Sequence, residues 1–185
     1  FSQWLSQAQR LGEGLRRLGI GEGDTVALWA ENRIEWAVTQ TALAAIGAVL
    51  VPINTHFREQ DLRFVLNHSQ AKAILFSKRF RSSNYLDMVT GQQPDTPSLQ
   101  HMVCFDAVDQ PGIVSYEALL EAHDHLFVPA HTQAKAMGSV QYTSGTTGQP
   151  KGAALSFGGM MLNAAASAKR LKLSHGDRWT SIIPL

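Results

Sequence analysis

The stretch QYTSGTTGQPKGAALSF, Gln141 to Phe157, is where this sequence concentrates chemistry. Three Thr, one Ser, three Gly and one Lys fall within the eleven residues from Tyr142 to Gly152. Thr143, Ser144, Thr146 and Thr147 are hydroxyl donors with little bulk. The glycines allow φ > 0 and let backbone N–H groups converge on an anion. Pro150 stiffens the approach to Lys151, which adds a full positive charge. Such a set suits a polyphosphate. It is not a Walker loop, because Gln149 and Pro150 separate Gly148 from Lys151. It is not G-x-G-x-x-G either, so a dinucleotide fold gains no support. By composition alone, a flexible surface loop is the better reading.

Other residues offer weaker chemistry. His123, Asp124 and His125, with His131, have the types of a metal cluster. They stand in a Pro-containing stretch that fixes no coordination geometry, and no Cys or Glu completes them, so a solvated loop is the better reading. The run KRFR, Lys78 to Arg81, reads as solvated surface. Cys104, between Val103 and Phe105, reads as a small core residue rather than a nucleophile. Trp29 and Trp36 read as packing.

The elements around the loop follow from periodicity. Trp4, Ala8, Leu11, Leu15 and Leu18 recur at helical spacing, with Gly19 as the stop. TVALWA is a short buried strand. Asn32 and Glu35 have the spacing of a capping box opening a helix that stops near Gly47. AVLVPIN is the next strand, closed by Pro52. REQDLRFVLNHS is a helix with Leu62, Val65 and Leu66 on one face, and AKAILFS is a third strand. KRFRSSNYLDMV is predicted as a helix, TGQQPDTPSLQ as a loop and HMVCF as a strand. SYEALLEAH is a short helix with Ser115 at its N-cap. DHLFVPAHTQAKA is predicted as loop and GSVQYT as a strand entering the Gly/Thr loop. MMLNAAASAKRLKL follows as a helix and DRWTSIIPL as a final strand. Strands alternating with helices imply an α/β protein with a mostly parallel sheet and flanking helices.

At 185 residues the chain can bury about 70% of the surface that its unfolded form exposes. Hydrophobic residues make up 44% and charged residues 17%, an ordinary globular balance. A net charge of +1 gives no electrostatic case for nucleic acid or an anionic membrane. Cys104 is the only cysteine, which fits a reducing, cytoplasmic compartment.

The string YTSGTTGQPKG resembles the phosphate-binding signature of adenylate-forming, AMP-binding enzymes: acyl-CoA synthetases, luciferases and the adenylation domains of peptide synthetases. The resemblance extends along GIGEGDTVALWAENRIEWAVTQTALAAIGAVLVPIN, LRFVLNHSQAKAIL and GDRWTSIIPL. It is strongest toward the medium-chain fatty-acyl branch. The resemblance implies that a carboxylic acid and ATP form an acyl-adenylate and pyrophosphate, and that a thiol, commonly coenzyme A, then takes the acyl group. It also implies that Thr143, Ser144, Gly145, Thr146, Thr147, Gly148 and Lys151 hold the β- and γ-phosphates, with Mg²⁺ sharing that task.

Two departures bear on those expectations. Phe157 stands where the family often has His, and Gly158–Gly159 follow it, which predicts a later or softer helix start. No Tyr-Gly-x-Thr-Glu, ribose-binding Asp or C-terminal catalytic Lys is matched. Residues 1–185 are therefore expected to be part of a large N-terminal AMP-binding domain, inactive alone. Three functions stay open: an acyl-CoA synthetase, an adenylation domain that loads a carrier protein, and a non-catalytic module with a vestigial phosphate loop.

Overall fold

A computed structural model describes residues 1–121, 127–143 and 150–178. In chain order the elements begin with α1 (Ser2–Arg17), β1 (Thr25–Trp29), α2 (Ile34–Ile46), β2 (Val49–Pro52), α3 (Glu59–His68) and β3 (Ala73–Phe76). A small hairpin of β4 (Arg79–Phe80) and β5 (Ser83–Asn84) leads into α4 (Tyr85–Thr90) and a 3₁₀ turn (Gln93–Asp95). Then come β6 (His101–Cys104), β7 (Ile113–Ser115), α5 (Tyr116–Leu119), β8 (Met137–Thr143), β9 (Lys151–Ser156) and α6 (Phe157–Arg170). The seven-stranded sheet runs β7-β6-β3-β1-β2-β8-β9. Every pairing in it is parallel except β8 with β9. The expected α/β class and mostly parallel sheet are therefore observed.

The period-2 pleat sorts the central strands into two core layers. Val26, Leu28, Leu50, Ala73 and Leu75 face α1, α2 and α5. Ala27, Trp29, Val51, Ile74 and Phe76 face α3 and α4. Both faces are covered, so these strands read as continuous apolar runs. The Trp29 ring lies on Tyr85 at 3.6 Å between centroids, and its indole N–H donates to the Asn54 carbonyl at 3.1 Å. Trp29 and Trp36 are buried packing residues, as expected. Gly47 ends α2 at φ 77°, a conformation that glycine adopts without a Cβ penalty.

The structure corrects several local expectations. KRFRSSNYLDMV is not one helix: its first half is the β4–β5 hairpin, turned through Arg81 at φ 51°. Only Tyr85, Leu86 and Val89 have the helical spacing that α4 buries. The loop TGQQPDTPSLQ contains the 3₁₀ turn. Ser115 is the N-cap of α5 but makes no side-chain cap bond. The strands β7 and β9 were not foreseen. Gly158–Gly159 do not delay α6, which starts at Phe157 because Ser156 Oγ accepts the Gly159 N–H at 3.1 Å. Residues 177 and 178 of the expected final strand are not in a strand, and residues 179–185 lie outside the described residues.

The pairing of Asn32 with Glu35 in a capping box is also corrected. Arg33 is the N-cap of α2, and Glu35 closes on its guanidinium. Arg33 donates to Glu35 at 2.9 and 3.1 Å, to Asp106 at 3.3 and 3.4 Å, and to Ser77 Oγ at 3.1 Å. One cation thus ties together the segments that follow β1, β3 and β6. The hydrogen bond from Arg33 holds the Glu35 carboxyl below its ordinary value, against the opposing effect of burial. A depressed carboxylate pKa adds stability that is present above the unfolded value of about 4.3 and is lost as pH falls through the folded value. Glu35→Gln is expected to lower stability at neutral pH by about 1 kcal/mol. It should also flatten the acid limb of the Tm–pH curve. A variant whose profile overlays the parent's would remove this ion pair from the account of stability.

Candidate phosphate-binding site

β8 runs parallel to β2, so its carboxyl end lies at the edge of the sheet where open α/β folds bind ligands. The Gly/Thr loop leaves from that end. The sequence predicted strand, turn, then helix; the structure shows that the next element after β8 is the antiparallel strand β9. Thr143 and Lys151 face each other as a register pair, with Tyr142 opposite Gly152 just inside them. The hairpin therefore fixes both ends of the loop together, with Thr143 and Lys151 side by side at its mouth. Both residues are exposed. None of the ion pairs among the described residues uses Lys151. Ser144, Gly145, Thr146, Thr147 and Gly148 lie outside the described residues.

Beside the hairpin, a cavity of about 1070 Å³ opens between α2, α6 and the ends of β2 and β8. Trp36, Leu50, Ile53, Phe157 and Met160 form much of its apolar wall, and Asn54 and Gln141 are among its polar lining. Phe157, at the position where the resemblance led to an expected His, therefore presents a hydrocarbon ring and no titratable group to this space.

Sequence reasoning missed two arrangements at this edge of the sheet. One is the Arg33 cluster, whose Asp106 partner is 73 residues away. The other is a hydrogen bond between His68 Nδ1 and the Tyr142 hydroxyl at 2.7 Å, across 74 residues. No local spacing signals either contact. Of the rival candidates, Lys78, Arg79 and Arg81 are exposed. His123, Asp124 and His125 lie outside the described residues, and among those described no group of three His, Cys, Asp or Glu side chains could hold a metal ion. No helix among the described residues is long and apolar enough to cross a membrane.

Cys104 is 1% exposed in β6, and burial pushes its thiol up, so it stays protonated. Cys104→Ser is expected to leave turnover per folded molecule unchanged. Its buried hydroxyl should lower stability by about 1–3 kcal/mol, measured by denaturant titration. A large loss of turnover at normal stability would make the thiol a participant.

The AMP-binding enzyme family model matches residues 1–185, and the chain belongs to that family. Its relatives are acyl-CoA synthetases and ligases. The long-chain-fatty-acid–CoA ligase of Thermus thermophilus is 32% identical over the whole of this chain, which spans 33% of that protein. The mitochondrial medium-chain acyl-CoA ligase ACSF2 of Homo sapiens is 29% identical over 94% of this chain and 31% of its own length. Among solved structures, o-succinylbenzoate CoA synthetase (MenE) of Bacillus subtilis, in complex with the acyl-adenylate intermediate OSB-AMP, superposes with a TM-score of 0.75 at 26% identity. That likeness covers 99% of this chain and 43% of the other. The chain thus spans about a third of the length of the curated relatives it matches.

Proposed function

We propose that the protein carrying this chain activates a carboxylic acid with ATP and passes the acyl group to coenzyme A. In this reading residues 1–185 are part of the large N-terminal AMP-binding domain, and the β8–β9 hairpin is its phosphate holder. The observation that carries the reading is the pairing of Thr143 with Lys151 at the loop mouth, within a sequence whose family membership is shown. The substrate class is a medium- to long-chain fatty acid. This rests on what the relatives' names say they act on.

ATP enters with Mg²⁺ on its phosphates, as substrate. An oxygen of the acid bonds to the α-phosphorus as the bond from that phosphorus to pyrophosphate breaks. Negative charge grows on the departing pyrophosphate. Lys151 and the hydroxyls of Thr143, Ser144, Thr146 and Thr147 stabilise it, with backbone donors at Gly145 and Gly148. Holding the β- and γ-phosphates still also aligns the α-phosphorus for attack. In the second step the thiol sulfur of coenzyme A bonds to the acyl carbon, AMP leaves, and the thiol gives up its proton.

The test is acid-dependent exchange of labelled pyrophosphate into ATP, followed by thioester formation on adding coenzyme A. Exchange that needs a fatty acid supports the reading. A protein that binds ATP yet exchanges nothing with any acid of a broad panel would overturn it.

A further inference from the structure

The phosphate loop needs a fixed mouth, and the sheet alone gives it little. The register between β2 and β8 is set at Leu50–Ser139, well before Thr143. Beyond that point β8 is paired through Thr143 with β9, which is the outermost strand of the sheet among the described residues. A two-stranded ribbon of this kind is marginal on its own. Something other than the backbone ladder must therefore set where its tip stands.

The side chains supply that anchor. The Tyr142 hydroxyl lies 2.7 Å from His68 Nδ1, at the last residue of α3. Phe64, one turn earlier on α3, stacks on the His68 ring at 5.3 Å and meets the Tyr142 ring edge-on at 6.3 Å. On the other strand Gly152 leaves room for this ring: a Cβ there would lie 3.3 Å from Tyr142 Cζ and 2.9 Å from Val140 Cγ1. Gly152 is the last letter of the signature YTSGTTGQPKG, and Val140 together with the Tyr142 ring leaves no space for a side chain there. Burial raises the Tyr142 phenol above its ordinary value, so the hydroxyl keeps its proton. A phenol hydroxyl and an imidazole nitrogen can each donate or accept, so this bond forms with either neutral tautomer of His68.

We propose that His68, acting through Tyr142, is a positioning residue that sets the mouth of the phosphate loop against α3; its effect on catalysis rests on the ATP-dependent reading above. His68 touches no reacting atom in this role. It fixes the tyrosine, the tyrosine fixes the end of β8, and the register pair Thr143–Lys151 carries that placement to the phosphates. The bond is at the protein surface and joins two elements that have no backbone pairing, so it can be cut without emptying the core.

The experiment compares His68→Ala, Tyr142→Phe and His68→Asn with the parent, in the intact protein. Loss of one neutral hydrogen bond is expected to raise the KM for MgATP by up to about tenfold. The KM for the acid and the Tm should stay close to the parent values. His68→Asn should restore the nucleotide KM, because its amide can set an acceptor oxygen or a donor N–H where Nδ1 stood. Amide hydrogen exchange gives a readout that does not need activity. The Thr143 and Lys151 amides should exchange faster in His68→Ala, while those of β1 and β3 keep the parent rates. Equal rises in both KM values, a fall in Tm that accounts for the loss, or unchanged exchange at Thr143 and Lys151 would each overturn the positioning role. If the parent itself shows no acid-dependent pyrophosphate exchange, the ATP reading fails, and the amide-exchange comparison still decides whether His68 holds the hairpin.

Discussion

Lys151→Ala in the intact protein is expected to raise the KM for MgATP by roughly 10- to 100-fold, with the KM for the acid within about twofold of the parent. A charge-assisted contact to phosphate is worth about 1.5–3 kcal/mol, and each 1.4 kcal/mol is a factor of ten. The structure gives two reasons to expect a value in that range. Lys151 is exposed at the loop mouth and enters none of the ion pairs among the described residues, so its charge is not neutralised by those partners. It is also the first residue of β9 and faces Thr143 across the ladder, so its Cα is held by backbone bonds on both strands. Removing the side chain leaves that framework intact, and stability should barely change. Steady-state kinetics with ATP varied at saturating acid, then acid varied at saturating ATP, separates the two effects. If nucleotide kinetics are unaltered, Lys151 is not a phosphate ligand. If pyrophosphate departure is also helped by its charge, kcat falls along with the rise in KM, because growing negative charge would then be met less well in the transition state than in the bound ground state.

Where the sequence was readable, burial made it so. The segments TVALWA, AVLVPIN and AKAILFS are covered on both faces, and each shows an apolar run bounded by turn residues. Leu62, Val65 and Leu66 lie on the buried side of α3 at helical spacing, as expected. The failures have a common cause of the opposite kind. β9 reads Lys-Gly-Ala-Ala-Leu-Ser, with no β-branched or aromatic residue, and most of it is exposed. Its strand conformation comes from pairing with β8, which local propensity does not report. The β4–β5 hairpin is two residues on each side and turns through a positive φ at Arg81, where no Gly or Pro marks a turn. Glu35 illustrates a third kind of miss. Its spacing from Asn32 matched a capping box, but a guanidinium two residues away offers a carboxylate two parallel hydrogen bonds, a stronger partner than a single backbone N–H.

The site divides in the same way. The family was legible because the literal string of the Gly/Thr loop is long and specific. Which residues the fold brings to it was not, because the contacts are distant in sequence: His68 reaches Tyr142 from α3, and the cavity beside the hairpin is walled by α2, β2 and α6 together. The hairpin geometry was also hidden. A glycine-rich turn that opens a helix would present the helix's N-terminal N–H groups to an anion. With strand β9 in place of that helix no such N-terminus follows, so in the proposed reading the anion is met by the loop's own donors and by Lys151.

Residues 1–185 by themselves are expected to form no acyl-adenylate and no thioester, a complete loss relative to the intact protein. Catalysis of this kind depends on groups held around one reacting centre, and poor orientation alone can account for several kcal/mol of a barrier. The Glu linked to Mg²⁺, the ribose-binding Asp and the C-terminal Lys that the family resemblance implies have no matched position in these residues. What this chain brings is one cation and a set of donors at the β8–β9 mouth. The surface around that mouth points the same way. α6 has no buried residue, and Met161 and Leu162 are 70% and 73% exposed, beside a cavity with an apolar wall. A helix formed on an apolar face without cover is held mainly by its cap and its own hydrogen bonds. β9 adds a sheet edge whose outer side is unpaired within the described sheet, a template for association. The separate chain should therefore bind MgATP or pyrophosphate weakly, through local donors, and self-associate as its concentration rises. The decisive measurement gives the purified 185-residue chain ATP, Mg²⁺, a panel of fatty and aryl acids, and coenzyme A, and follows pyrophosphate release and thioester together. Release at the blank rate, with weak nucleotide binding retained, is the expected result. Sustained acid-dependent release would mean that the residues orienting the α-phosphorus are already within this chain, and that Lys151 and its hairpin are a larger part of the catalytic machinery than a phosphate holder.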